Sequence, residues 1–161
     1  MAFTEVSISD MATLTPLMLL VIFLVAGLSL RSVLGALVTA FIVILSVIGM
    51  MGVAGWMKFI LNAATFNSFL MLSALTIAHC VHIMSTQRIN MRLGKNKKES
   101  IDESLRVNLQ PVFMTAITTA IGFLTMHFSE APPFRQLGYM MAFGNIILLF
   151  HAVVTLPALP F

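Results

Sequence analysis

Five apolar blocks, at about 12–30, 33–54, 65–86, 109–127 and 136–157, constrain this chain more than any other feature. Each is long enough for a helix to cross the ~30 Å hydrocarbon layer of a bilayer, which takes about 20 residues. Inside that layer every backbone N–H and C=O must be satisfied within the protein, and helices do this segment by segment. The chain is 59% hydrophobic and 9% charged, against roughly 25% charged in an average soluble domain. It therefore reads as an all-α membrane protein, a single domain over 1–161 with five transmembrane helices, and the remainder suffices only for connections.

The net charge of +3 does not point to nucleic acid. Six of the nine basic residues, Arg88, Arg92, Lys95, Lys97, Lys98 and Arg106, fall in one interval between spans three and four. Such clustering marks the cytoplasmic side. With five spans, the N-terminus and the connections 55–64 and 128–135 are then expected outside, and Arg31 and the C-terminus inside. Glu5 and Asp10 precede the first apolar run, where a cleavable signal would carry basic residues. A chain that starts outside must translocate its own amino end, so the sequence reads as a piece of a longer protein. Cys80 is the single cysteine and has no partner for a disulfide.

Within the basic interval, Ser100 and Glu103 have capping-box spacing. Ile101, Leu105 and Leu109 recur every fourth residue with Asp102, Glu103 and Arg106 off that stripe. This predicts a cytoplasmic amphipathic helix on the membrane surface, feeding span four near Pro111; a solvated loop is the alternative. Trp56 and Lys58 are interface anchors, with Phe59, Ile60 and Leu61 lying along the membrane surface. The Gly49–Gly52 region is expected to end span two and to allow close helix packing. Pro132 and Pro133 exclude helix through the link before span five, and Pro157 and Pro160 close that span. Glu130 and Arg135 flank the link as a solvated pair.

Polar groups inside the spans carry the functional signal, because hydrocarbon penalises them unless a partner or water meets them. His79 and His82 lie three apart, on one helical face of span three. Thr115, Thr118 and Thr119 repeat that spacing in span four. The histidines read as a proton relay, a hydrogen-bonded structural pair, or a degenerate site. The threonines either bond back to their own helix carbonyls or cross to the histidines. Asn67, near the outer end of span three, reads as a cap or an interhelical donor. His79, Cys80 and His82 do not converge on one metal ion, and the thirteen methionines are scattered packing residues. No nucleophile elbow, phosphate loop, zinc-protease string or sugar-cleaving carboxylate pair is present, so neither an enzyme nor a cofactor is expected.

Four strings resemble one transmembrane half of a resistance-nodulation-division (RND) exporter of the MMPL-like branch: SDMATLTPLMLLVIFL, GLSLRSVLGALV, ESLRVNLQPVFMTAITTAIGFLTMHFSEAPPFRQLG and the terminal LPAL. The third is the most specific. The resemblance implies spans two to six of a six-span half, in a bacterial inner membrane, exporting lipids or other hydrophobic cargo against proton entry. It also implies a second half as partner, either another copy or a separate chain, and a periplasmic domain that this chain lacks. Family members carry an ADSVHI-like string where this chain has AHCVHI, so His79 stands in the place of the usual aspartate and Cys80 in that of a hydroxyl residue. Thr115, Thr118, Thr119 and Asn67 join His79 and His82 as candidate relay residues. The rival expectations are a lipid-sensing or scaffold module like the sterol-sensing domains, which share the five-span arrangement, and an inactive remnant.

Overall fold

The computed structural model describes residues 13, 16, 17, 20, 21, 23–25, 27, 28, 30 and 32–158. Residues 1–12, Arg31 and Pro160, on which parts of the sequence reading fall, lie outside the described residues. The described residues between 13 and 30 are helical (α1). Four long helices follow: α2 (Val33–Trp56), α3 (Ala63–Arg92), α4 (Lys97–Leu124) and α5 (Pro132–Phe150). A 3-10 turn, Thr125–Phe128, extends α4, while a π-helical turn, His151–Thr155, and a last turn, Leu156–Ala158, extend α5. Four of these segments, Val33–Trp56, Ala64–Arg92, Lys97–Phe128 and Pro132–Ala158, are long and apolar enough to cross a membrane. No strand occurs among the described residues. The five-helix, all-α membrane architecture is therefore present.

The helix ends differ from the sequence reading, for local reasons. α3 starts at a capping box in which Asn62 Oδ1 accepts from the Ala64 and Thr65 amides at 3.0 and 3.1 Å and Thr65 Oγ1 accepts from the Asn62 amide at 2.8 Å. It then runs on to Arg92, well past residue 86. Gly94, at φ +90°, turns the chain; a side chain would be strained there. The second capping box is formed by Asn96 and Glu99, with the Glu99 amide donating to Asn96 Oδ1 at 2.9 Å and the Asn96 amide donating to Glu99 Oε2 at 3.2 Å. The Ser100–Glu103 box is thus displaced by an identically spaced pair one turn earlier. Replacing Asn96 by alanine should cost about 1 kcal/mol. Hydrogen exchange would show it as lost protection of the Glu99 and Ser100 amides, with α3 unaffected.

The expected amphipathic helix exists as the opening turns of α4, continuous with the span through Pro111. Its most buried face is a line of small residues beside the apolar stripe, of which Leu105 packs against the Leu30–Cys80 cluster. Leu109 is 43% exposed, whereas Ser100 and Ser104 are fully buried. The buried residues of α4, Ser100, Ser104, Val112, Ala116 and Ala120, fall on a four-residue repeat. Phe113, Met114, Ile117, Ile121 and Leu124 point outward. Lipid is as apolar as leucine, so no hydrophobic force draws large side chains inward; close backbone approach draws small ones in.

Other turns of the chain follow the same packing logic. The two prolines of the link before α5 occupy its first positions, where a missing amide costs nothing. The non-helical break shrinks to Ser129–Ala131, and Pro157 sits inside the final helical turn. α2 continues past Gly49 and Gly52 to Trp56, which is 85% exposed. A Cβ on Gly49 would lie 2.9 Å from Ile147 Cγ2, so this glycine is a packing position between α2 and α5; Gly52 has nothing within 4 Å. α5 contacts α2, α3 and α4, and α3 contacts α2, α4 and α5, so these two form the centre of the bundle.

Candidate functional site

The turn at Leu93–Asn96 folds α4 back along α3, and polar groups tie the two helices. Ser104 Oγ donates to the Ile83 carbonyl at 2.5 Å, and Asn108 Nδ2 donates to Thr86 Oγ1 at 2.9 Å. Two helical turns further from the bend on each helix, Thr115 Oγ1 meets His79 Nε2 at 3.3 Å. His79 is 5% exposed, and its Nδ1 is buried without a hydrogen-bond partner among the described residues.

Thr115 Oγ1 also lies 2.9 Å from the carbonyls of Pro111 and of Val112. A hydroxyl has one proton and two lone pairs. If it donates to its own helix, it accepts from Nε2–H, and Nδ1 of the neutral ring is left as a lone pair facing no donor. A proton arriving at Nδ1 would make the ring a cation whose second N–H needs a new acceptor. Buried polar groups are nearly always bonded, so an open ring nitrogen of this kind marks a position for water, a proton or a second group.

The six residues singled out from sequence do not form one cluster. His79 and Thr115 meet. His82 is exposed, and its carbonyl accepts from Thr86 Oγ1 at 3.0 Å. Thr118 is exposed and donates to its own helix, at 2.8 Å to Met114 O and 3.2 Å to Thr115 O. Thr119 is half-buried and shares a shallow hollow with Gly122, Phe123 and Met126. Asn67 is exposed within the second turn of α3; the cap is Asn62, so the capping reading of Asn67 is corrected. Both readings of the threonines occur together in Thr115, and only back-bonding occurs in Thr118.

Sequence reasoning missed a second polar pair. Ser46 Oγ of α2 lies 3.3 Å from His151 Nδ1 in the π turn that ends α5. Cys80 and Ala152, the residues after His79 and His151, belong to one buried cluster with Ile42 and Leu156. The two histidine pairs therefore flank the same apolar layer. One turn and a half before His151, Asn145 is 1% exposed, and neither of its amide atoms has a hydrogen-bond partner among the described residues. The rule that singles out His79, an ionisable group inside a span, applies equally to His151. The π turn is a further signal, since such turns recur at functional sites, but it is invisible in sequence. Among the described residues no group of three or more His, Cys, Asp or Glu side chains could hold a metal ion.

Comparison with curated proteins finds no match. A family model described as the MMPL family matches residues 2–160. With nearly every residue of the chain covered and its long helices apolar enough to span a bilayer, the protein is a multi-pass membrane protein that belongs to the MMPL family.

Proposed function

We propose that the chain is a transmembrane half of a proton-driven exporter of lipids or other hydrophobic compounds in a bacterial inner membrane, working with a second half, with the basic interval 88–106 on the cytoplasmic side. The observation that carries this reading is the His79 ring, buried in the span, bonded on one nitrogen to Thr115 and open on the other. A proton pathway needs a titratable group at that depth with a vacant position for the proton, and histidine is the side chain suited to titrate near neutral pH.

The second half is supported by the exposed face of α4. The most apolar stretch of Lys97–Phe128 is 17% buried, against 50% for Pro132–Ala158. His82, Thr115 and Thr118 are exposed on this side of the bundle, and an ionisable side chain left facing lipid is costly. A facing helix that covers them would also bring a partner towards His79. A disulfide-crosslinking experiment in a Cys80→Ser background tests the arrangement. Thr118→Cys should yield an intermolecular crosslink in native membranes and Ile44→Cys, on the outer stripe of α2, should not. Equal yields from both positions would remove the case for a partner on α4. Coupling is tested on the same membranes: efflux of a lipophilic dye should stop when a protonophore collapses the gradient.

A further inference from the structure

A cavity of about 300 Å³ lies between the start of α2 and the last turns of α3, at the same end of the bundle as the basic interval. We propose that it binds the anionic phosphate headgroup of a membrane phospholipid. This is a site apart from the His79–Thr115 pair and does not depend on the export reading.

The lining separates into two kinds of surface. Leu30 and Met84, 1% and 3% exposed, form an apolar wall, and Arg88 and Arg92, one helical turn apart, form a cationic one. Gln87, 2% exposed, brings a buried amide to the same space. Ser32, the N-cap of α2, and Gly35 complete it, so the positive end of the α2 dipole opens there, with no acidic residue in the first turn to offset it. Among the described residues no carboxylate lines the cavity. Glu99, Asp102 and Glu103 line a different hollow, together with Lys95 and Arg106. Gly35 keeps the space open, because a Cβ there would stand 3.0 Å from Met84 Cε.

Charge, shape and depth agree on the ligand. Guanidinium groups and helix N-termini are the common protein donors to phosphate, and basic pockets between spans at the membrane surface suit anionic headgroups. The volume is at the lower end of the ~300–1,000 Å³ range of ligand pockets. It accommodates a headgroup and its first methylenes, while the acyl chains would lie along Val33, Leu34 and Leu37, each more than half exposed. A free phosphate would meet the positive charge of the cationic wall but leave the Leu30–Met84 wall unused.

The chain purified into nanodiscs of phosphatidylglycerol and phosphatidylcholine provides the test. Native mass spectrometry should find retained phosphatidylglycerol in at least tenfold excess over phosphatidylcholine. R88Q/R92Q should abolish that preference, R88K/R92K should keep part of it, and K97Q/K98Q, which removes two charges outside the cavity, should keep all of it. Inorganic phosphate at millimolar concentration should not displace the lipid. A photoreactive phosphatidylglycerol on the unmodified chain should label Met84 or Met91, a readout that survives if the arginine variants fail to fold. Loss of preference in K97Q/K98Q as large as in R88Q/R92Q, displacement by phosphate alone, or labelling confined to α4 would each overturn the proposal. In the first case Arg92 would only complement the C-terminal dipole of α3.

Discussion

Alanine at position 138 should leave little of the protein folded. Gly138 sits in α5 where the chain has just returned from α4, and a Cβ there would be 2.5 Å from the Phe123 carbonyl oxygen and 2.9 Å from Met126 Cβ. The first of these is backbone, in a helix that packs along α5, so no rotamer change relieves the overlap. Helix interfaces transmit such strain because they are close-packed. Overpacking typically costs 1–3 kcal/mol, and a clash with backbone belongs at about 3 kcal/mol or above. Unfolding of Gly138→Ala in mixed micelles by increasing sodium dodecyl sulfate would measure it. Gly52→Ala is the informative counterpart: nothing lies within 4 Å of its missing Cβ, so it should stabilise the helix by about 0.5–1 kcal/mol through backbone entropy alone. Equal stability of the two variants would mean that α4 and α5 do not approach as described.

His79→Gln should reduce gradient-driven efflux to the level seen with a protonophore, a loss of a hundredfold or more. Glutamine keeps the length and a donor for Thr115 Oγ1, so the 3.3 Å contact between α3 and α4 has a replacement. What it cannot do is take up a proton. His79→Asp should keep gradient dependence with an altered pH profile, because a carboxyl is neutral when protonated whereas imidazole is then a cation. Thr115→Val is expected to be milder: it frees Nε2 but leaves the ring titratable. Full gradient-dependent efflux by His79→Gln would make the histidine a structural group, and weight would pass to His151, the other ring on the same apolar layer.

The spans were legible because length and hydropathy are enough to recognise a membrane helix, and the polar residues His79 and Thr115 were legible because hydrocarbon makes them conspicuous. Their meeting was also within reach. Once the bend is placed at Leu93–Asn96, Thr86 facing Asn108 fixes His79 facing Thr115, seven residues further along each helix. What the stripe of Ile101, Leu105 and Leu109 does not reveal is which residues make the closest packing: Ser100 and Ser104 are fully buried, Leu105 is half-buried against the Leu30–Cys80 cluster, and Leu109 stays exposed. The capping box was mistaken because two overlapping pairs, Asn96–Glu99 and Ser100–Glu103, have the same spacing, and the turn at Gly94 selects the first. Asn145 and the Ser46–His151 pair depend on how α5 docks against α2 and α3, which no local pattern encodes.

The ties between α3 and α4 also bear on how the protein is made. Ser104 with Ile83 and Asn108 with Thr86 span 21 and 22 residues of chain, so these contacts become available as soon as the second arm of the hairpin has been synthesised. The hairpin is able to leave the translocon with Ser104, Asn108 and His79 Nε2 already matched across its two arms, sparing those groups separate exposure to lipid. Ser46 and His151 are 105 residues apart. Their contact waits for the last span, which makes it the final closure of the bundle, and a ribosome stalled before residue 151 would hold a nascent chain with α2 inserted but not yet locked.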